Sequence, residues 1–420
     1  MRFVYVILVY LLFPVLFAAI LWRGVRDRGY WSRLAERFGF GPHAEKPCVW
    51  IHAVSVGEVQ AAAAFVHALA ERYPHIPLTV TTFTPTGADR ARALFKDVAT
   101  VRYVPFDLPG SVRRFFDRTR PRLAVIFETE LWPNLYHECG RRRIPLVLAS
   151  ARISPRSASR YRWLATLFKE TLSHGIVIAA QGPGDAERFK SIGANPERTH
   201  VTGNIKFDFA LPPDILPRGR ALRERYAAGR PVWIAGSTHG GEEEQVLQAH
   251  CRVLQTCPDA LLVLVPRHPP RFDEVAGWLE KEGVRFVRRS QPEAPDASAQ
   301  VLLVDTLGEL VDFYAASDVA FVGGSLVPIG GHNLLEPASL GLPILTGPHT
   351  FNSQDVARLL IGRGAAEVVQ NADELGERVA ALLADPQERA RIGALGRASV
   401  EDNRGALAKV LALVDPLLQS

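Results

Sequence analysis

The hydrophobic positions of the chain form one long run and many short ones. The long run, residues 3–22 (FVYVILVYLLFPVLFAAILW), contains 20 residues and no charge. A helix of that length crosses about 30 Å of hydrocarbon, and membrane helices tolerate a proline such as Pro14. No small-residue cleavage site follows, which disfavours a signal peptide. The pattern therefore predicts a membrane anchor over residues 1–24, with a buried N-terminal helix as the alternative.

The short apolar runs alternate with amphipathic stretches that predict helices at 57–72, 86–96, 156–173 and 184–191. Nearly continuous apolar strands joined by helices are typical of a parallel sheet covered on both faces. The predicted strands are 48–55, 77–84, 101–106, 123–128, 144–149 and 175–180, followed by 231–236, 261–266, 284–288, 301–305, 318–323 and 343–346.

The alternation is interrupted once, at residues 209–230, where Pro212, Pro213 and Pro217 predict a linker over 211–230. The chain thus predicts an α/β fold with two Rossmann-like domains, 25–210 and 231–420, that face one cleft. The second domain includes an Ala- and Leu-rich helical tail from about 372 to 418.

The composition of the chain argues against nucleic-acid binding and a zinc ribbon, and it predicts on which side of a membrane the domains lie. Lys and Arg number 49 against 44 Asp and Glu, a net charge of +5, and no basic stripe interleaved with aromatic residues indicates nucleic-acid binding. The four cysteines form no CxxC pair, which argues against a zinc ribbon, and a chain of this size needs no disulfide scaffold. An excess of arginine over 23–37 follows the apolar run and predicts that the remaining domains lie in the cytoplasm.

Three motifs in the first half contain candidate site residues. HAVSVGEV (52–59) places Glu58 where a strand ends and a helix begins, a position for a general base, although acidic residues also favour first helical turns. ETELWPN (128–134) closes another strand, and in a period-two strand Glu128 and Glu130 share a face, with a charge pair at a helix N-terminus beside Pro133 as the alternative. Lys206 in GNIKFD (203–208) either balances negative charge or is an ordinary surface lysine.

The second half contains possible anion- and nucleotide-binding segments. AGSTHGGEEE (235–244) leads from a strand into a helix but is neither a Walker A motif nor GxGxxG. Arg267 in VPRHP suits a phosphate, and the backbone of TLGEL (306–310) suits a base or ribose. In FVGGSLVPIGGHNLLEPA (321–338), Asn333 is a helix cap and Glu336 is placed for ribose hydroxyls, while His332 is either functional or a plain loop residue. No cluster has metal-ligand spacing.

Taken together, these motifs resemble the 3-deoxy-D-manno-octulosonic acid (Kdo) transferase family of lipopolysaccharide synthesis. The resemblance covers nearly the whole chain, and its specificity lies in the order and spacing of the motifs. Besides the apolar segment, the matching motifs are HAVSVGE, TTFTPTG (81–87), PFDLP (105–109), ETELWPN, ARIS (151–154), GNIKFD, STHGGEE, VPRHPPRF, GEL (308–310), FVGGSL…GGHNLLEPA and GPHTFN (347–352).

The resemblance implies a GT-B glycosyltransferase that transfers Kdo from CMP-Kdo to the lipid A precursor (lipid IVA) at the cytoplasmic face of the inner membrane. It implies that Glu58 is the general base and that Glu128 and Lys206 stabilise the transition state. The first domain would bind the acceptor and the second the CMP-sugar, with no cofactor and no metal. One base and a direct displacement predict inversion at the anomeric carbon. The implied CMP-binding residues are Pro266, Arg267, Leu307, Gly308, Glu309, Asn333, Leu334, Leu335 and Glu336.

Two other functions are compatible with the pattern. One is a GT-B enzyme that uses a UDP-sugar, either a peptidoglycan-type transferase or a nucleotide-sugar epimerase. The other is a membrane-tethered binding protein with a degenerate site, which the intact carboxylates of Glu58 and Glu128 disfavour.

Overall fold

A computed structural model describes residues 2–155, 157–158, 167, 170, 172, 175–291 and 298–419, and the chain divides into two units. Unit 1 comprises Met1–Phe209 and Asn403–Ser420, and unit 2 comprises Ala210–Asp402. Most of the helix predicted at 156–173 lies outside the described residues.

Unit 1 is built on a parallel sheet of seven strands in the order β3-β2-β1-β4-β5-β6-β7. Alternate side chains of each strand enter two separate cores, so that Trp50 packs on one face and Ile51 on the other. Burial on both faces explains why the strands are apolar throughout. The strands are β1 (Cys48–His52), β2 (Leu78–Thr82), β3 (Ala99–Tyr103), β4 (Pro121–Phe127), β5 (Leu146–Ala151), β6 (Val177–Ala180) and β7 (Thr199–Val201).

Helices cover both faces of this sheet. The described α-helices of the unit before residue 210 are α1 (Arg2–Arg26), α2 (Leu34–Arg37), α3 (Val56–Arg72), α4 (Pro85–Phe95), α5 (Pro109–Thr119), α6 (Pro133–Arg141) and α7 (Pro183–Ser191). Pro85, Pro109, Pro133 and Pro183 each occupy the start of a helix, where the missing N–H would have no helical partner.

Unit 2 repeats the architecture with a second parallel sheet, in the order β10-β11-β9-β8-β12-β13-β14. Its strands are β8 (Val232–Thr238), β9 (Leu261–Pro266), β10 (Phe286–Arg288), β11 (Val301–Leu303), β12 (Val319–Val322), β13 (Ile344–Thr346) and β14 (Ala366–Val368). Its helices are α8 (Ile215–Ala227), α9 (Glu243–Thr256), α10 (Arg271–Lys281), α11 (Leu310–Ala315), α12 (Leu335–Leu340), α13 (Gln354–Gly362), α14 (Ala372–Ala384) and α15 (Pro386–Glu401).

The predicted linker over 211–230 is wrong, because most of it forms α8 within unit 2. Pro217 lies in the first turn of this helix, where proline is tolerated. The helix packs on α11: a Cβ added to Gly219 would lie 2.6 Å from Ala315, and Arg223 forms a 2.8 Å ion pair with Asp318. The prolines therefore mark a helix start rather than a flexible hinge.

The predicted tail at 372–418 is three helices, and the last belongs to the other unit. That helix, α16 (Ala406–Gln419), buries Ala406, Val410, Val414 and Leu418 in a core of unit 1. The second domain therefore does not extend to residue 420 as predicted. The four-residue spacing makes one apolar stripe, and a stripe alone does not reveal which sheet it covers.

The predicted apolar segment lies within α1, which is long and apolar enough to cross a membrane by length and composition. One stripe of this helix, including Phe13, Phe17 and Ile20, packs against Phe38 and Phe106 of unit 1. The remaining apolar side chains point outward, with Leu11 69% and Val15 68% exposed.

Candidate functional site

The carboxyl ends of β1 and β4 form the candidate site of unit 1. These neighbouring strands lie where the strand order reverses, and open α/β sheets bind ligands in the crevice at such a point. Glu58 follows β1 and Glu128 follows β4, while Lys206 comes from the short 3₁₀ helix Ile205–Phe207. The structure thus brings together the three residues predicted to be catalytic, and their roles stay predictions.

Glu58 lies in the first turn of α3 and folds back on the chain that precedes it. Its Oε2 accepts a 2.8 Å hydrogen bond from the backbone N–H of Val54. Burial raises the pKa of Glu58 to about 8, with help from the charges of Glu128 and Glu130 and against the opposing effects of that hydrogen bond and of Lys206. A carboxylate with this pKa is a far stronger base than an exposed glutamate.

Glu128 is held by two cations. Its Oε1 lies 2.7 Å from Nζ of Lys206 and its Oε2 lies 3.3 Å from Nε of Arg152. Its backbone has φ +60°, a left-handed conformation that costs a non-glycine residue about 1–2 kcal/mol. Arg152 was not predicted as a site residue, although it lies in the ARIS motif. Its distance from Glu128 along the chain gives no indication that the two side chains form an ion pair.

The inference that Glu128 and Glu130 share the face of a strand is wrong. β4 ends at Phe127, and the left-handed turn at Glu128 separates the two side chains. Glu130 accepts a 2.5 Å hydrogen bond from the indole N–H of Trp132. Burial raises the pKa of Glu130.

The predicted nucleotide segments of unit 2 all lie at the carboxyl edge of its sheet. Pro266 ends β9, and Arg267 follows it with an exposed side chain. Leu307, which is 71% exposed, and Gly308, with φ +87°, precede α11. Glu309 forms a 2.7 Å ion pair with Arg289.

The last predicted segment, 333–336, shapes the start of α12. The helix begins at Leu335, one residue later than a cap at Asn333 implies, and Oδ1 of Asn333 accepts the N–H of Leu335 at 3.1 Å. Nδ2 of Asn333 donates to Oε1 of Glu336 at 3.0 Å. Burial raises the pKa of Glu336, and the positive charge of Arg267 opposes the rise. Arg267 and Glu336 therefore belong to one region of the edge.

Glu242, which the sequence did not single out, organises the glycine loop after β12. This fully buried carboxylate accepts backbone N–H groups from Gly324 at 2.7 Å, Ser325 at 3.0 Å and Leu326 at 3.0 Å, and from His239 at 3.2 Å. Both carboxylate oxygens of Glu242 accept these hydrogen bonds, so this residue connects the loop after β12 to the loop after β8.

Replacing Glu242 by glutamine is expected to destabilise the protein by about 2–4 kcal/mol, because an amide NH₂ would then face backbone donors in a buried site. Thermal unfolding followed by circular dichroism measures the effect. The neighbouring exposed residue provides the control, since Glu244→Gln changes no buried contact and should leave the midpoint within error. An unaltered midpoint in the Glu242 variant would show that the carboxylate is not needed.

No group of three His, Cys, Asp or Glu side chains is arranged to hold a metal ion within the part of the chain that the structure describes.

Comparisons with known proteins identify the family. The family model for 3-deoxy-D-manno-octulosonic-acid transferase (kdotransferase) matches residues 32–209. A 3-deoxy-D-manno-octulosonic acid transferase of Haemophilus influenzae is 44% identical over 422 residues, which covers 100% of this chain and 99% of the relative. The enzyme of the same name from Bordetella pertussis is 39% identical and covers 95% of each chain.

The solved structures support the fold alone. The UDP-GlcNAc 2-epimerase of Neisseria meningitidis superposes with a TM-score of 0.55 at 14% identity, over 89% of this chain and 100% of that chain. Two parallel seven-stranded sheets and this neighbour confirm the predicted α/β fold of GT-B type. With a relative 44% identical along its entire length, the chain belongs to the Kdo transferase family and is a glycosyltransferase.

Proposed function

We propose that this enzyme transfers Kdo from CMP-Kdo to a hydroxyl of the lipid A precursor (lipid IVA) with inversion, and that Glu58 is the general base. The observation that carries the proposal is the raised pKa of Glu58 beside the Glu128–Lys206 ion pair at the point of strand reversal. A base of this strength takes the proton of the acceptor hydroxyl as that oxygen attacks the anomeric carbon. One base and one displacement give inversion.

Glu128 and Lys206 are proposed to stabilise the transition state. Breaking the bond between sugar and phosphate builds positive, oxocarbenium-like charge on the sugar, and the carboxylate of Glu128, beside the base, is placed to stabilise that charge. Lys206 and Arg152 place two cationic side chains at this site. Cations beside the bound sugar favour a substrate that is itself an acid, as Kdo is.

Unit 2 is proposed to bind the CMP moiety through residues 266–267, 307–309 and 333–336. Arg267 offers a planar, permanently charged donor to the phosphate. Glu336 lies close to Arg267 and is hydrogen-bonded to Asn333, and it is placed to accept hydrogen bonds from the hydroxyl groups of a ribose. Because cationic side chains stabilise the departing phosphate, we propose that transfer needs neither a metal nor a cofactor.

The apolar helix α1 is proposed to hold the enzyme at the inner membrane with its catalytic units in the cytoplasm. Its outward-facing side chains are apolar along the helix, and Arg23 and Arg26 occupy its last turn. Arg26 lies 4.8 Å above the ring of Trp22, an arrangement suited to the membrane–water interface. A membrane location fits an acceptor that is a lipid, and no nucleic-acid partner is proposed.

Mass spectrometry of the product tests the whole proposal. The full chain is incubated with CMP-Kdo and lipid A precursor, with and without EDTA, and the acceptor is expected to gain the mass of Kdo in both reactions.

A thermal-shift comparison of CMP with UDP distinguishes a CMP-sugar donor from a UDP-sugar donor. Stabilisation by UDP alone would overturn the CMP-sugar assignment in favour of a UDP-sugar enzyme.

The rate of transfer is expected to rise with pH and to level off above about pH 8. The base acts only when it is unprotonated, and the pKa of Glu58 in the free protein is raised to about 8. Initial rates at subsaturating acceptor, measured from about pH 6 to about pH 9.5, report this ionisation in kcat/KM. A profile that is flat across that range would contradict the assignment of Glu58.

A further inference from the structure

Two histidines meet at the centre of the carboxyl edge of unit 2. His239 follows β8 and His332 lies in the loop after β12, and these neighbouring strands are where the strand order of this sheet reverses. Their Nε2 atoms lie 2.8 Å apart, and the two rings are nearly parallel, at 4°. Since two imidazoles share one hydrogen bond, one Nε2 carries the proton and the other accepts it.

A third histidine and two arginines lie near this pair. His268 contacts the ring of His239 edge-on at 5.3 Å, and Arg267 and Arg271 lie nearby. Burial lowers the pKa of His332 to about 4, helped by the charges of His239, Arg267 and His268. Burial likewise lowers the pKa of His239, helped by His268, Arg267 and Arg271. Both rings are therefore neutral at physiological pH.

Acidic groups close to the pair are already engaged. Oε2 of Glu242 accepts the backbone N–H of His239, together with that of Gly324. Glu243 forms a 3.0 Å ion pair with Arg271. The carboxylate of Glu336, in the segment that follows His332, accepts from Asn333. Each of these carboxylates already has a hydrogen-bond donor or a cation as its partner, whereas the side chain of Arg267 is exposed.

The glycine loop fixes the two rings in place. Gly324 has φ +68°, and a Cβ at this position would lie 3.0 Å from the ring of His332 and 3.4 Å from that of His239. The loop is itself fastened by Glu242. The pair is thus a preorganised part of the edge, flanked by the residues proposed to bind CMP.

We infer that His239 and His332 bind the phosphate of the cytidine nucleotide and take up one proton when it binds. The inference rests on the proposed function of unit 2. An anion placed beside Arg267 offsets the positive charge that, after burial, adds to the lowering of both histidine pKa values. A protonated pair retains its N–H···N hydrogen bond and gains a further N–H donor, which the phosphate accepts.

The proton has a use during the reaction. When the bond between the sugar and the phosphate oxygen breaks, its electron pair stays on that oxygen. The negative charge of the phosphate therefore increases from −1 to −2. The proton taken up from solvent stays on the histidine pair and offsets this charge. The pair thereby favours departure of CMP.

Isothermal titration calorimetry of the full chain tests the inference on the unaltered protein. CMP and cytidine are each titrated at about pH 8, where a phosphate with a second pKa near 6 is already a dianion. Each titration is run in two buffers that differ in ionisation enthalpy, which reveals proton uptake. We expect CMP to bind with net uptake of up to one proton, and cytidine to bind with none.

Variants of the chain test whether the proton taken up on CMP binding resides on the histidine pair. His332→Gln is expected to abolish proton uptake and to weaken CMP about tenfold or more, while cytidine affinity is retained. His75→Gln, at an exposed position of unit 1, is the matched control and should behave as the unaltered chain. CMP binding without proton uptake by the unaltered chain would overturn this inference alone. Failure of the unaltered chain to bind CMP would overturn the proposed function, and this inference with it.

Discussion

Replacing Glu58 by glutamine is expected to reduce the rate of Kdo transfer by about 10³-fold or more, the upper part of the range for loss of a general base. Glutamine has the shape of a protonated glutamate, and its carbonyl oxygen can still accept the N–H of Val54. The folded protein already holds Glu58 mostly in its neutral form at pH 7, because the pKa is raised to about 8. The variant should therefore fold normally and lose only the base.

The matched control lies on the same helix. Glu71 is exposed near the end of α3, and Glu71→Gln should leave both the rate and the unfolding midpoint unchanged. Transfer is measured by mass spectrometry of the lipid product, and CMP affinity by calorimetry. Near-normal transfer by the Glu58 variant would remove Glu58 as the base. Lost CMP binding would point to a structural defect instead.

Lys206→Met and Glu128→Gln are expected to lower the rate of transfer by about 10²-fold each and to shift the pH profile in opposite directions. Lys206 lowers the pKa of Glu58, so its removal moves the rising limb to higher pH. Glu128 raises that pKa, so neutralising it moves the limb to lower pH. If the ion pair had a purely structural role, the two variants would not shift the pH profile in opposite directions.

The pH dependence of kcat/KM for both variants measures these shifts. Lys190→Met is the control, because Lys190 forms an ion pair of similar length, 2.9 Å to Glu187, away from the site. Its profile should match that of the unaltered chain. Shifts in the same direction, or none, would show that the charges of Glu128 and Lys206 do not act on Glu58 as the structure implies.

The positions of the catalytic candidates were predictable because strand ends are visible in a sequence. Apolar runs that stop shortly before Glu58 and at Glu128 mark carboxyl ends of parallel strands, and such ends share one edge of a sheet. The left-handed backbone at Glu128 was not predictable, since glutamate rarely adopts it. The pairing of Glu128 with Arg152, and of His239 with His332, depends on loops that are distant in sequence and meet only in the fold.

The division into units was predicted only in outline. The proline-rich segment predicts a linker because prolines interrupt regular structure. In the fold, Pro212 and Pro213 lie just before α8, and Pro217 lies in its first turn, where proline is tolerated. The apolar stripe of α16 predicted a helix and a buried face, but not a return to the sheet of unit 1.

The α/β class, the order of most elements, the apolar N-terminal segment and the family follow from the sequence, because periodicity, composition and motif spacing are local properties of a chain. Which charges are neighbours depends on how the chain folds. Burial raises the pKa of Glu58 and lowers that of His332, and Glu242 gathers four backbone donors. Desolvation and Coulomb interactions depend on distances in space, and those distances exist only once the strands have assembled.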